Sequence, residues 1–184
     1  MAMLAIPVPE EISALLRKIK VEGEPASTPQ HITLFYLGDK VSIRHIGQAL
    51  EATYGVVQDS QPFAVRIDHV SSFPKGEDGV PIICPVRDKA LNDFRATLKD
   101  AFDRDDVSYS NRFPTFKGHV TLAYHNGKAP EDREIPALTW TVTEVILYGG
   151  DEGDERLTVR FPLGGPETKT AFYRGLVRLG LHDV

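Results

Sequence analysis

The sequence has one cysteine, Cys84, in 184 residues. That excludes a disulfide within the chain and a cysteine-built zinc site. Sparse cysteine suits a reducing compartment, so a cytoplasmic location is expected. No run of about 20 apolar residues is present, so no membrane span or membrane partner is expected. The opening MAMLAIPVPEE is apolar but short, lacks a basic leader and runs at once into acids, so it does not read as a signal peptide. Positive charge is not in excess either: 21 Lys and Arg against 26 Asp and Glu leave a net charge of −5. This argues against binding duplex DNA or RNA over a broad surface, which depends on neutralising phosphates. A small nucleotide or a strand end in a local pocket remains compatible. Hydrophobic residues at 41% and charged residues at 26% fit a soluble globular chain. The length suits one large domain or two small lobes. A monomer is expected.

Along the chain, MLAIPV reads as a buried strand. Pro9, Glu10 and Glu11 open a helix, with proline and acids suited to its first turn. Ile12, Leu15, Leu16 and Ile19 follow at helical spacing. EGEPASTPQ reads as a loop and HITLFYL as a strand stopped by Gly38-Asp39. Ser42 is placed to cap a helix carrying Ile43, Ile46 and Leu50 on one face. PFAVRIDHVSSF alternates as a strand. The second half replays the first. VPIICPV is an apolar strand, Asp88 sits at a cap position, and Leu91, Phe94, Leu98 and Phe102 form a helical stripe. A polar loop then leads to the strand HVTLAY. TWTVTEVILYGG and RLTVRFPL read as two further strands, joined through the acidic turn Asp151 to Glu155. Residues 165–184 form a C-terminal extension with a glycine hinge and a short amphipathic helix, which either packs on the core or links onward.

Both polar loops open into His-x-Thr-Leu, at His31 and at His119. With 6 His, 12 Thr and 16 Leu in the chain, chance supplies roughly 0.03 such tetrapeptides and a pair about once in 2000 chains, against the usual false-positive rate of short motifs. Alternate strand residues share a face. His31 and Thr33 therefore point one way and Ile32 and Leu34 the other, and likewise His119 and Thr121 oppose Val120 and Leu122. Two facing lobes would bring two imidazoles and two hydroxyls into one cleft. With an unperturbed pKa of about 6.5, one imidazole can be neutral and take a proton while the other is charged and gives one. Each such transfer contributes about 10²–10⁴-fold in rate. Threonine hydroxyls can donate to phosphoryl oxygens as charge builds there. In-line displacement at a phosphodiester needs such groups on opposite sides of phosphorus, and this chemistry requires no metal or cofactor.

These residues give the chain a resemblance to the 2H phosphoesterase superfamily, the 2'-5' RNA ligase-like and cyclic phosphodiesterase proteins. The resemblance spans about residues 3 to 164 and also includes AIPVPEEI, VILYGG and RFPL. It implies a bilobal α+β domain over residues 1–164, with two similar lobes of antiparallel sheet and outer helices around a cleft. It implies His31 and His119 as the catalytic pair, with His119 the base and His31 the acid, and Thr33 and Thr121 as phosphate-binding hydroxyls. The implied substrate carries a 2',3'-cyclic phosphate or a 2'-5' linkage, at an RNA end or on a small nucleotide. Two positions depart from the family pattern. Gly118 stands where proline often precedes the second histidine, and Tyr124 stands at an often basic position. Lys117 and Arg112 are near enough to compensate, and Lys117 and Tyr124 are carried as substrate contacts.

Other readings stay open. His125 would share a face with His119 if the strand ran on, which with His31 suggests a three-histidine metal site. Asn126-Gly127 argues that the strand ends there, so no metal is expected. His45, His69 and His182 read as surface or core-edge residues, and Cys84 as a buried hydrophobe. Tyr36, Tyr124 and Tyr148 read as core or cleft-wall residues, any of which could stack on an unpaired base. A cyclic di- or oligonucleotide signal, as cleaved by phage-type enzymes that blunt host defence, fits the same mechanism. A catalytically idle binder of RNA ends or nucleotides is the alternative outside enzymes.

Overall fold

The structure is a computed structural model that describes residues 1–26, 29–112, 114–149 and 157–181. The acidic turn at Asp151 to Glu155 and His182 lie outside the described residues. The first sheet comprises β1 (Ala2–Pro7), β3 (His31–Gly38), β8 (Glu144–Gly149) and β9 (Leu157–Pro162), in the order β3-β1-β8-β9. The second comprises β2 (Glu24–Pro25), β4 (Phe63–Ser72), β5 (Val80–Pro85), β6 (His119–His125) and β7 (Arg133–Val142), in the order β2-β6-β5-β4-β7. All pairings between named strands are antiparallel. The α+β, two-lobed architecture is the one the sequence predicted.

Among the described residues, four helices cover the sheets. The helix α1 (Glu10–Leu16) starts at Pro9 with Glu10 and Glu11 in its first turn. It is too short to bury its whole stripe, so Leu15 is exposed. The helix α2 (Ile43–Val57) is capped by Ser42, whose hydroxyl accepts from the His45 N–H at 3.2 Å. Ile43 lies in the first turn and is exposed, while Ile46 and Leu50 are fully buried. The helix α3 (Lys89–Arg104) buries Leu91, Phe94, Leu98 and Phe102. Asp88 occupies its cap position but does not cap it: the carboxylate accepts from the Arg66 N–H of β4 at 2.7 Å, joining helix to sheet. The helix α4 (Pro166–Leu179) packs against β9 and α2, stacking Phe172 on Tyr54 at 4.4 Å.

Two expectations about strands change. Glu24-Pro25, inside the expected loop, adds a short edge strand beside β6. The run TWTVTEVILYGG is not one strand, because Thr143 separates β7 from β8 and the chain crosses there from one sheet to the other. A single apolar core runs through both lobes, with α2 packed on α3.

The internal repeat extends to hydrogen-bond register. In the first lobe Pro7 pairs with His31, Ile6 with Ile32 and Ala5 with Thr33, and the register then slips so that Leu4 faces Phe35. In the second lobe Pro85 pairs with His119, Cys84 with Val120 and Ile83 with Thr121, and the slip puts Ile82 opposite Ala123. Just outside these ladders, Val8 N–H donates to Gln30 O at 3.0 Å and Val86 N–H to Gly118 O at 2.7 Å. The two lobes are one structural unit used twice.

Candidate active site

Each slip is a β-bulge, and in both lobes it falls on the leucine of His-x-Thr-Leu: Leu34 and Leu122 are the unpaired extra residues. The bulge explains the motif's form. Without it, alternation would return the residue after leucine to the cleft face. With it, Leu34 and Phe35 are both buried, as are Leu122 and Ala123. The half-exposed face then holds His31, Thr33 and Tyr36 in one lobe and His119, Thr121 and Tyr124 in the other. Residues 88 apart therefore occupy equivalent sites. β3 and β6 lie against each other across the lobes.

The imidazoles are held alike. His31 Nδ1 lies 3.1 Å from the Pro29 carbonyl, and His119 Nδ1 lies 2.7 Å from the Lys117 carbonyl. A carbonyl only accepts, so Nδ1 carries the hydrogen in both rings, and Nε2 is the free lone pair of the neutral form. Lys117 thus contributes through its backbone, and its side chain is exposed. The electrostatics of His119 favour its neutral form. Burial lowers its pKa below the ordinary value, the Lys117 carbonyl pulls it back up, and the charge of His31 lowers it again. Among the described residues, neither the Thr33 nor the Thr121 hydroxyl has a hydrogen-bond partner, so both are available to a ligand.

An aromatic ring stands beside each histidine. The Phe73 ring meets His119 edge-on with centroids 4.7 Å apart, and the Tyr148 ring lies 6.5 Å from His31. The rings are repeat equivalents. Met3 pairs with Tyr148, and Pro81, the counterpart of Met3, accepts from the Phe73 N–H. Sequence alone does not single out Phe73, which lies between the end of β4 and Pro74. Only the cross-strand equivalence to Tyr148 exposes it. Tyr36 donates to Asp39 at 2.5 Å, and this bond with burial pushes its phenol up to about 12.

The remaining candidates separate from the cleft. The Leu122 bulge reverses the alternation, so Ala123 is buried and His125 does not share the face of His119; it lies 3.6 Å from Glu22 at the end of β6. The three-histidine alternative therefore loses its geometry, and among the described residues no group of three or more His, Cys, Asp or Glu is placed to hold a metal. His45 Nε2 bonds the Ser108 carbonyl at 2.8 Å, and His69 Nδ1 meets Asp68 at 2.5 Å. Arg112 lies 3.6 Å from Glu77. Cys84 is buried in β5, its thiol pushed up to about 12 by that burial. Among the described residues no helix is long and apolar enough to cross a membrane.

Gly118 precedes His119 at the entry to β6. A Cβ there would sit 2.7 Å from a Leu91 methyl and 3.1 Å from the Val86 carbonyl. The first turn of α3 packs closely on the entry to β6, so a side chain at position 118 would have to displace the Leu91 methyl.

A family model described as the 2'-5' RNA ligase superfamily matches residues 8–154. No curated protein sequence matches the chain. Solved structures with the same fold include TT0787 of Thermus thermophilus, 21% identical over 89% of this chain and 98% of that one, with a TM-score of 0.69. E. coli LigT complexed with 3'-AMP is 24% identical over 88% of this chain and 94% of that one, with a TM-score of 0.61.

Proposed function

The chain belongs to the 2'-5' RNA ligase superfamily, and we propose that it is a metal-independent phosphodiesterase acting on a nucleotide or RNA end that carries a 2',3'-cyclic phosphate or a 2'-5' linkage. The observation that carries this reading is the pair of register-equivalent imidazoles on adjoining strands, each anchored through Nδ1 with Nε2 free. Their environments differ, which divides the roles. His119, whose burial favours the neutral form, takes the proton of the attacking water at Nε2. Water oxygen bonds to phosphorus, the bond from phosphorus to the leaving ribose oxygen breaks, and protonated His31 supplies the proton that oxygen needs. His119 ends charged and His31 neutral, so one proton exchange with solvent restores the start. Thr33 and Thr121 donate to the non-bridging oxygens as their charge grows. Tyr124 and Tyr148, on the cleft side of their strands, offer faces on which a base can stack. E. coli LigT, of the same fold, has been crystallised with 3'-AMP, which supports a nucleotide-sized ligand.

The experiment is turnover of a 2',3'-cyclic mononucleotide in excess chelator by the parent chain and by the His31→Ala and His119→Ala variants. The proposal expects hydrolysis that falls at least about 10²-fold in each variant, and the 2'- or 3'-phosphate product identifies the leaving oxygen. If cyclic mononucleotides and 2'-5' dinucleotides are inert while cyclic dinucleotides are opened, the mechanism stands and the substrate changes to a signal nucleotide. If all are bound and none is cleaved, the chain is a binder rather than an enzyme.

A further inference from the structure

A bulge on an outer strand leaves a carbonyl without a ladder partner. The two motif bulges meet this need differently. In the second lobe β2 flanks β6, and the Ala26 N–H donates to the Leu122 carbonyl at 2.9 Å. In the first lobe β3 is the edge of its sheet and, among the described residues, has no such neighbour. There the Leu34 carbonyl accepts from Arg95 Nε at 2.7 Å, and Arg95 belongs to α3, the helix of the other lobe. Its guanidinium lies 3.3 Å above the Phe35 ring centroid and within 6 Å of the Tyr109 and Phe116 rings, at 5.8 and 5.4 Å. Farther along the same edge, the Ser110 N–H donates to the Tyr36 carbonyl at 2.8 Å. The first motif strand is thus held through its outward carbonyls by the lobe that carries the second motif.

We propose that Arg95 is a positioning residue that sets the placement of His31 and Thr33 against His119 and Thr121, by clamping the Leu34 bulge to α3. The chemistry of the clamp favours arginine. The site is partly desolvated and walled by aromatic rings, where a planar, weakly hydrated guanidinium stacks and a compact ammonium does not. Burial lowers the Arg95 pKa to about 10, and the nearby Tyr109 and Asp103 oppose that shift, so the group stays charged at neutral pH. A cation partly buried on the back of the motif strand, bonded to the one carbonyl the bulge leaves open, serves the site through β3 and needs no contact with substrate.

The inference rests on the reading of His31 and His119 as partners, and its test does not depend on turnover. The His119 imidazole is titrated by NMR with labelled histidine in the parent, in His31→Ala, in Arg95→Met and in the double variant. In the parent, removing His31 raises the His119 midpoint, because a neighbouring like charge is lost. With Arg95→Met, which keeps bulk and loses the donor, that increment is expected to fall by half or more. An unchanged increment in a folded Arg95→Met protein overturns the proposal. Arg95→Lys serves if the methionine variant does not fold; it too is expected to shrink the increment, and an undiminished one overturns the proposal. Phe172→Ala, which loosens α4, controls for general destabilisation and is expected to leave the increment intact; equal shrinkage there overturns the proposal. Where the parent hydrolyses a 2',3'-cyclic nucleotide, Arg95→Met lowers kcat about 10–10²-fold with KM within about threefold, as expected for misplaced reacting groups. A parent that turns over none of the cyclic mononucleotides, 2'-5' dinucleotides and cyclic dinucleotides overturns the proposed function and leaves the titration to decide the role of Arg95.

Discussion

Phe73 holds its ring edge-on to the His119 imidazole, with centroids 4.7 Å apart and planes at 81°. This contact shields part of the proposed base from solvent. Phe73→Ala should therefore raise the pKa of His119 toward its unperturbed value of about 6.5, because burial is the largest influence lowering it. The Tyr148 counterpart stands farther off, at 6.5 Å from His31, so Tyr148→Ala should leave the His119 titration in place. NMR titration of both variants checks the pair. An unchanged His119 midpoint in Phe73→Ala would remove Phe73 as the source of the desolvation.

The pH dependence of activity follows from the same residue. A general base works only when unprotonated, so kcat/KM should fall on the acid side with a midpoint below about 6.5. Stability carries the same sign. The folded pKa of His119 lies below its unfolded value, so the unfolded chain binds more protons between the two. The stability contributed by this group is complete above about pH 6.5 and is lost as pH falls through the folded pKa. In denaturant titrations, His119→Gln should lessen the fall in stability over that window, and that fall should level off near the pH at which the rate profile has its acid midpoint.

Much of this site is legible in the sequence because a repeated tetrapeptide on strands obeys a period of two. That period puts His31 and Thr33 on one face and His119 and Thr121 on the other lobe's matching face without any tertiary information. It fails after leucine. A bulge has no sequence signature of its own, so simple alternation draws Ala123 and His125 onto the cleft face with His119. The first half of β7 escapes a sequence reading because Pro136 argues against a strand. It is tolerated there because β7 is an edge strand and its register with β4 slips between Ile67 and His69. The turn of the Asp88 carboxylate from its helix to the Arg66 N–H is not legible locally, because that backbone donor belongs to another strand, 22 residues away. Phe73 and Arg95 are invisible for the same reason, since each acts across strands or lobes.

The two threonines separate catalysis from stability. Their hydroxyls have no partner among the described residues, and both side chains are half-buried. Thr33→Val and Thr121→Val keep shape and remove a donor that the proposed mechanism aims at developing charge. Each should lower kcat about 10²–10³-fold, the usual cost of losing such a donor. The melting temperature should stay within about 2 °C, since no internal hydrogen bond is broken. A loss of stability comparable to a core substitution would place these hydroxyls in the folding machinery instead.

Gly118 gives the last prediction, and it depends on two residues. Position 118 precedes the second histidine, and Leu91 packs closely against it. Gly118→Ala forces its Cβ against a Leu91 methyl, at 2.7 Å in the unrelaxed geometry, and against the Val86 carbonyl at 3.1 Å. Overpacking of this kind costs about 1–3 kcal/mol. Leu91→Ala alone opens a fully buried site and costs about 2–5 kcal/mol. In the double variant the alanine methyl occupies part of the space the leucine vacates, so the combined loss should be smaller than the sum by about 1 kcal/mol or more, within the range seen for touching residues. Urea unfolding of the parent, both singles and the double measures this coupling. Strict additivity would mean that the Val86 carbonyl, rather than Leu91, excludes a side chain at position 118.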